Sequence, residues 1–212
     1  MKKFLNLRYL TFFIMLVLTS IFTYQAILLD QAYIYDENEL MEHVQLLILV
    51  LVGIVFFLQA GESKWSMVQS SAASLSFLAY LGLALSFSFI IREMHVTHSE
   101  IDWLIFIVDG QGYKIIMVLL WVPLLYKTFQ YKDEYIEIVK KAILSPTALF
   151  LMAAVACLGG GALFDKEIIV VEYFRFYEEV LEMNGYGFML MAALSLHKDM
   201  VVAVSNERSD AA

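Results

Sequence analysis

Y-F-R-F-Y-E-E-V-L-E-M-N-G-Y-G-F-M-L-M-A-A-L-S-L-H-K runs from Tyr173 to Lys198. Its second half is apolar enough for lipid, but its first half carries Arg175, Glu178, Glu179, Glu182 and Asn184. A membrane-spanning helix needs about 20 residues, each rising about 1.5 Å. Counting back that far from Lys198 reaches Glu178, so Glu182 falls roughly one turn inside the hydrocarbon. A carboxylate at that depth requires a partner, water or a proton. The stretch therefore predicts a spanning helix and also the place where polar chemistry enters the bilayer.

The rest of the chain has the same apolar character. Of its 212 residues, 61% are hydrophobic and 17% charged, and the mean hydropathy is +0.72. Soluble domains are about half apolar and about a quarter charged. This composition predicts an all-α integral membrane protein: one multi-pass domain over 1–212, with the lipid bilayer as its first partner. The net charge of −8, with aromatic residues gathered at span ends and in lipid-facing runs, argues against nucleic acid. A single cysteine, Cys157, excludes an intrachain disulfide and a cysteine-built metal centre.

About six spans are expected, near 9–29, 41–60, 70–91, 112–129, 146–162 and 176–197. The first follows Lys2, Lys3 and Arg8. It is too long for a signal-peptide core, and bulky Tyr24 would sit three residues before the best cleavage site, so it reads as uncleaved. Span three is dotted with Ala72, Ala73, Ser74, Ala79, Gly82, Ala84 and Ser86, which permit close helix approach. Before span four, W-L-I-F-I-V is too short to cross, and D-G-Q-G at 109–112 signals a turn. This predicts a re-entrant or interfacial piece, with one long broken helix as the alternative. Ile136, Val139 and Ile143 recur at helical spacing among charges, predicting a cytoplasmic amphipathic helix before span five. Ser145-Pro146 opens span five, and Ala153, Cys157 and Gly161 are expected to form its packing stripe.

Six crossings place Lys2, Lys3, Arg8, Lys64, Lys127, Lys132, Lys140, Lys141, Lys198 and Arg208 on one side, out of 14 basic residues. By the positive-inside rule both termini are cytoplasmic, in an inner (plasma) membrane of bacterial type. The unusual residues then fall at one depth, the outer ends of spans two, three and six. They are Glu39, Glu42 and His43; Arg92, Glu93, His95 and His98; and Arg175, Glu178, Glu179 and Glu182.

Three readings of that layer differ in chemistry. Helix N-termini favour carboxylates, so Glu42, Glu178 and Glu179 fit a structural role, with Arg92 or Arg175 pairing Glu178 or Glu182 to fasten spans three and six. Such a protein would serve as a structural or partner-binding membrane component, or a homo-oligomer. Mixed His and carboxylate ligands suit a divalent metal, here from His43, His95, His98, Glu178 and Glu182, and would permit metal-dependent hydrolysis. The acids, with Gly185-x-Gly187 and the broken segment near Gly110, are also ingredients of an ion or proton path. No H-E-x-x-H, phosphate loop, nucleophile elbow or dinucleotide fingerprint is present.

Overall fold

The computed structural model describes residues 2–36, 39–62, 71–94, 102–108 and 110–210. Among the described residues the chain is helical, with no strand. The α-helices are α1 (Lys2–Thr23), α2 (Leu40–Glu62), α3 (Ser71–Glu93), α4 (Asp102–Val108), α5 (Gly112–Gln130), α6 (Lys132–Ala142), α7 (Pro146–Asp165) and α8 (Phe174–Asp210). A π-helical turn, Tyr24–Leu28, continues α1, and a 3-10 turn, Ala32–Tyr35, precedes α2. Four segments among the described residues are long and apolar enough to cross a membrane: Leu7–Leu28, Ala32–Gly61, Gly112–Gln130 and Pro146–Asp165. In lipid such segments must be helical, because each backbone N–H and C=O has to be satisfied within the segment.

α8 is the centre of the bundle, packing against α7, α2, α1 and α3. It is 37 residues long and runs past Lys198, where the sequence suggested a short tail. Side-chain contacts set the direction of its neighbours. Gln45 meets Glu179 and Gln59 meets Ala193, each 134 positions apart, so α2 runs parallel to α8 and in step with it. Arg8 meets Ser195 and Thr19 meets Asn184, so α1 is antiparallel. Arg92 meets Glu182, making α3 antiparallel too, and Thr147 meets Asp199, which does the same for α7.

Close approach depends on small residues at chosen points. A Cβ added at Gly82 of α3 would lie 2.5 Å from the Phe56 ring of α2. One at Gly185 of α8 would lie 2.8 Å from Leu158 of α7. Of the expected stripe on α7, Gly161 faces α8, joined there by Ala154 rather than by Ala153 and Cys157. Ala154 and Gly161 are buried against α8, whereas Ala153 and Cys157 are only half-buried. A helix turn spans about 3.6 residues, so a strict four-residue repeat drifts around the surface.

The short apolar piece before α5 is a seven-residue helix, α4, separated from α5 rather than continuous with it. The Gly110 N–H bonds the Ile105 carbonyl at 2.9 Å, and a Cβ at Gly110 or Gly112 would meet the Phe106 carbonyl oxygen at 2.7 Å. That tight reversal explains the two glycines. In the amphipathic helix α6, Ile136 and Val139 are exposed, and Tyr135 stacks on Phe77 of α3 with ring centroids 4.6 Å apart.

α7 begins as its sequence predicts. The Ser145 hydroxyl accepts the Ala148 N–H at 3.2 Å, and Pro146 occupies the first turn. A second cap comes from α8. Asp199 accepts the Thr147 N–H at 2.9 Å and the Thr147 hydroxyl at 2.6 Å. Asp199→Ala is expected to cost about 1 kcal/mol by removing this cap. Chemical denaturation in detergent measures it, and an unchanged midpoint would show that Ser145 caps α7 alone.

Candidate functional site

Tyr186 and Glu182 are one helical turn apart on α8 and face the end of α3, where Arg92 and Glu93 are adjacent. Arg92 Nη2 donates to Glu182 Oε2 at 2.6 Å, to Glu93 Oε1 at 2.6 Å and to the Tyr186 hydroxyl at 3.0 Å. Arg92 Nε also donates to Glu93 Oε1, at 2.9 Å. The Tyr186 O–H in turn donates to Glu93 Oε1 at 2.7 Å. Both carboxylate side chains are 9% exposed, while that of Arg92 is 49% exposed. Phe89 backs the guanidinium, with its ring centroid 5.5 Å from Arg92 Cζ.

The space for Glu182 is made by α7. A Cβ on Gly161 would lie 3.0 Å from Glu182 Cγ and 3.4 Å from the Glu178 carbonyl oxygen. The lack of a side chain at Gly161 thus lets the carboxylate lie between helices and reach Arg92. One turn nearer the helix start, Glu179 turns towards α2. Gln45 Nε2 donates to Glu179 Oε2 at 2.7 Å and to the Glu179 carbonyl at 3.1 Å. Gln45 is fully buried, and its Oε1 has no hydrogen-bond partner among the described residues.

The predicted polar layer divides into groups. Arg92, Glu93 and Glu182 converge directly, and Glu179 and Glu42 are buried beside them at the ends of α8 and α2. Glu178 is half-buried, within electrostatic reach of both Arg175 and Arg92. His43 takes no part in this convergence. It is exposed, and its Nδ1 lies 2.6 Å from the carbonyl oxygen of Glu39, itself exposed. The same Glu39 oxygen accepts the His43 backbone N–H at 3.2 Å, and its second lone pair is within reach of the ring one turn on. His95 and His98 lie outside the described residues. Among the described residues no group of three or more His, Cys, Asp or Glu side chains converges as a metal site.

Tyr186 and Gln45 are the participants whose roles were not read from sequence. Tyr186 is four residues after Glu182, the spacing that puts both on one helix face. Gln45 and Gln59 are fourteen apart, a whole number of turns on one face of α2 to a close approximation. Further along α8, Asn184 Nδ2 donates to Thr19 Oγ1 at 3.0 Å, and Arg8 Nη1 donates to Ser195 Oγ at 3.0 Å. Polar contacts therefore tie α8 to α1, α2, α3 and α7 along its length, as is common where lipid provides no hydrophobic drive between helices. No protein-family profile, curated protein sequence or solved structure matches the chain.

Proposed function

We propose that this chain is a six-span inner-membrane protein with a structural or partner-binding role, held together at its outer end by the Arg92–Glu182–Glu93–Tyr186 network. The observation that carries the reading is the 2.6 Å Arg92–Glu182 pair between α3 and α8. Helix directions support the crossing number. α3 and α7 are both antiparallel to α8, so the chain between them must return across the bundle, and α5 is the apolar segment available to do so. With ten of the 14 basic residues on the α1 side, both termini are cytoplasmic.

The test is Glu182→Gln in the full-length protein purified in detergent. Glu182→Gln takes one carboxylate from Arg92 and leaves the half-exposed guanidinium on Glu93, so the expected loss is about 1.5–3 kcal/mol, less than for a fully buried pair. An unchanged melting temperature would reject the fastening role.

A second reading, an ion or proton path, is favoured by one specific observation. Glu93, Glu179 and Glu182 are buried within electrostatic reach of one another, and the buried Gln45 Oε1 beside them has no partner among the described residues. Carboxylates gathered in a medium of low polarity favour uptake of a proton or a cation. Proteoliposome flux lost in Glu179→Gln, with melting unchanged, would decide for it.

A further inference from the structure

Away from that network, the chain forms a groove of about 540 Å³ where the end of α1, the end of α7 and the start of α8 meet. Ile27 and Ile169 give it apolar walls, Phe164, Tyr173 and Tyr177 present aromatic rings, and Glu172 supplies a carboxylate. The Phe164 and Tyr177 rings are 5.8 Å apart and tilted by 32°. The Tyr173 hydroxyl donates to Asp30 Oδ1 at 3.3 Å, which places a second carboxylate at the rim. The negative charge of Asp30 pushes the Tyr173 phenol up from its ordinary value, so the phenol stays a donor.

Two further observations mark this groove. Asp30, Glu167 and Tyr173 have φ of 50°, 52° and 61°, and they are the non-glycine residues with positive φ among those described. All three belong to the two connections that frame the groove, and such backbone costs free energy that the surroundings must hold in place. The connection from α7 to α8 also exposes a run of four apolar residues, with Ile168 at 68% and Val170 at 72%. Four consecutive exposed apolar side chains suit lipid rather than water. Leu28 and Leu29, after α1, are exposed as well. On the six-span reading the groove opens at the level of the lipid headgroups.

We propose that this groove binds the primary-ammonium headgroup of an ethanolamine phospholipid in the outer leaflet. The ammonium sits against the Phe164, Tyr173 and Tyr177 rings and donates to Glu172, and an acyl chain lies along Ile27 and Ile169. Aromatic faces attract cations, and the carboxylates accept N–H donors that a quaternary choline lacks. Phosphatidylglycerol carries the same phosphate with no ammonium to offset it, so these carboxylates disfavour it. The inference rests on the membrane-spanning reading but not on the Arg92 network.

The experiment is native mass spectrometry of the full-length protein in detergent, titrated with dioleoyl phosphatidylethanolamine, phosphatidylcholine or phosphatidylglycerol. The ethanolamine lipid is expected to be retained at about tenfold lower concentration than either other lipid. Glu172→Gln should remove that preference, while Tyr173→Phe, which keeps the ring and loses the Asp30 bond, should weaken it less. Glu172 is exposed, so its replacement leaves the fold intact, and an unchanged melting temperature checks this. Equal retention of the ethanolamine and choline lipids overturns the proposal, as does a preference for phosphatidylglycerol or a Glu172→Gln protein that binds like the wild type. A chain that stays soluble and monodisperse without detergent would instead overturn the membrane reading beneath it.

Discussion

Arg92→Met is expected to lower the unfolding free energy in detergent by about 3–5 kcal/mol. The loss does not come from the guanidinium, which is half exposed. It comes from Glu93 and Glu182, whose side chains are 9% exposed and would be left without their cation. Arg92→Lys should recover part of the loss. The contacts to Glu182, Glu93 and the Tyr186 hydroxyl all come from Nη2, which an ammonium with three donors can replace, whereas the second bond to Glu93, from Nε, is lost. The double variant Arg92→Met/Glu182→Gln separates a real pair from two independent losses. Coupled residues deviate from additivity by about 0.5–3 kcal/mol, so the double variant should lose less than the sum of the single ones. Additive losses would mean that the 2.6 Å contact carries no interaction free energy.

Gly82→Ala is the second large effect, expected to cost about 2–3 kcal/mol by overpacking the α2–α3 contact. The new methyl would lie 2.5 to 2.6 Å from three carbons of the Phe56 ring, and Phe56 is only 5% exposed, so the ring has little room to withdraw. The relief experiment is Phe56→Leu in the Gly82→Ala background. A smaller side chain opposite the methyl should restore part of the stability, although Phe56→Leu alone destabilises by removing buried volume. If the alanine variant melts like the wild type, α2 and α3 are farther apart than this contact requires. Gly53, which faces Ser86 across the same helix pair with a Cβ distance of 3.3 Å, is a milder control.

How much of this was legible in the sequence differs residue by residue. The interruption at Asp109-Gly110-Gln111-Gly112, the Ser145-Pro146 start of α7 and the amphipathic α6 were all readable, because each depends on local chemistry. The choice of partner for Arg92 was not. Glu178 and Glu182 are both on α8 within one turn of each other, and sequence spacing allows either. Gly161 of the neighbouring helix leaves room for the Glu182 side chain, and that residue is distant in the chain. His43 also looked able to join the carboxylates, since it is four residues from Glu39. Its ring instead bonds the Glu39 backbone at 2.6 Å and stays exposed. Spacing placed the two residues on one face without saying which way that face turns.

The stretch from Tyr173 to Lys198 shows where the division falls. Its own residues predicted a helix bearing carboxylates at one end, because helical hydrogen bonds close within the segment and hydropathy is a property of the segment itself. Its central place in the bundle, the inward turn of Tyr186 and the pairing of Glu182 with Arg92 were decided by tertiary structure. Those features depend on the rotation of α8 about its axis, and contacts with α2, α3 and α7 set that rotation. No local pattern within α8 encodes it.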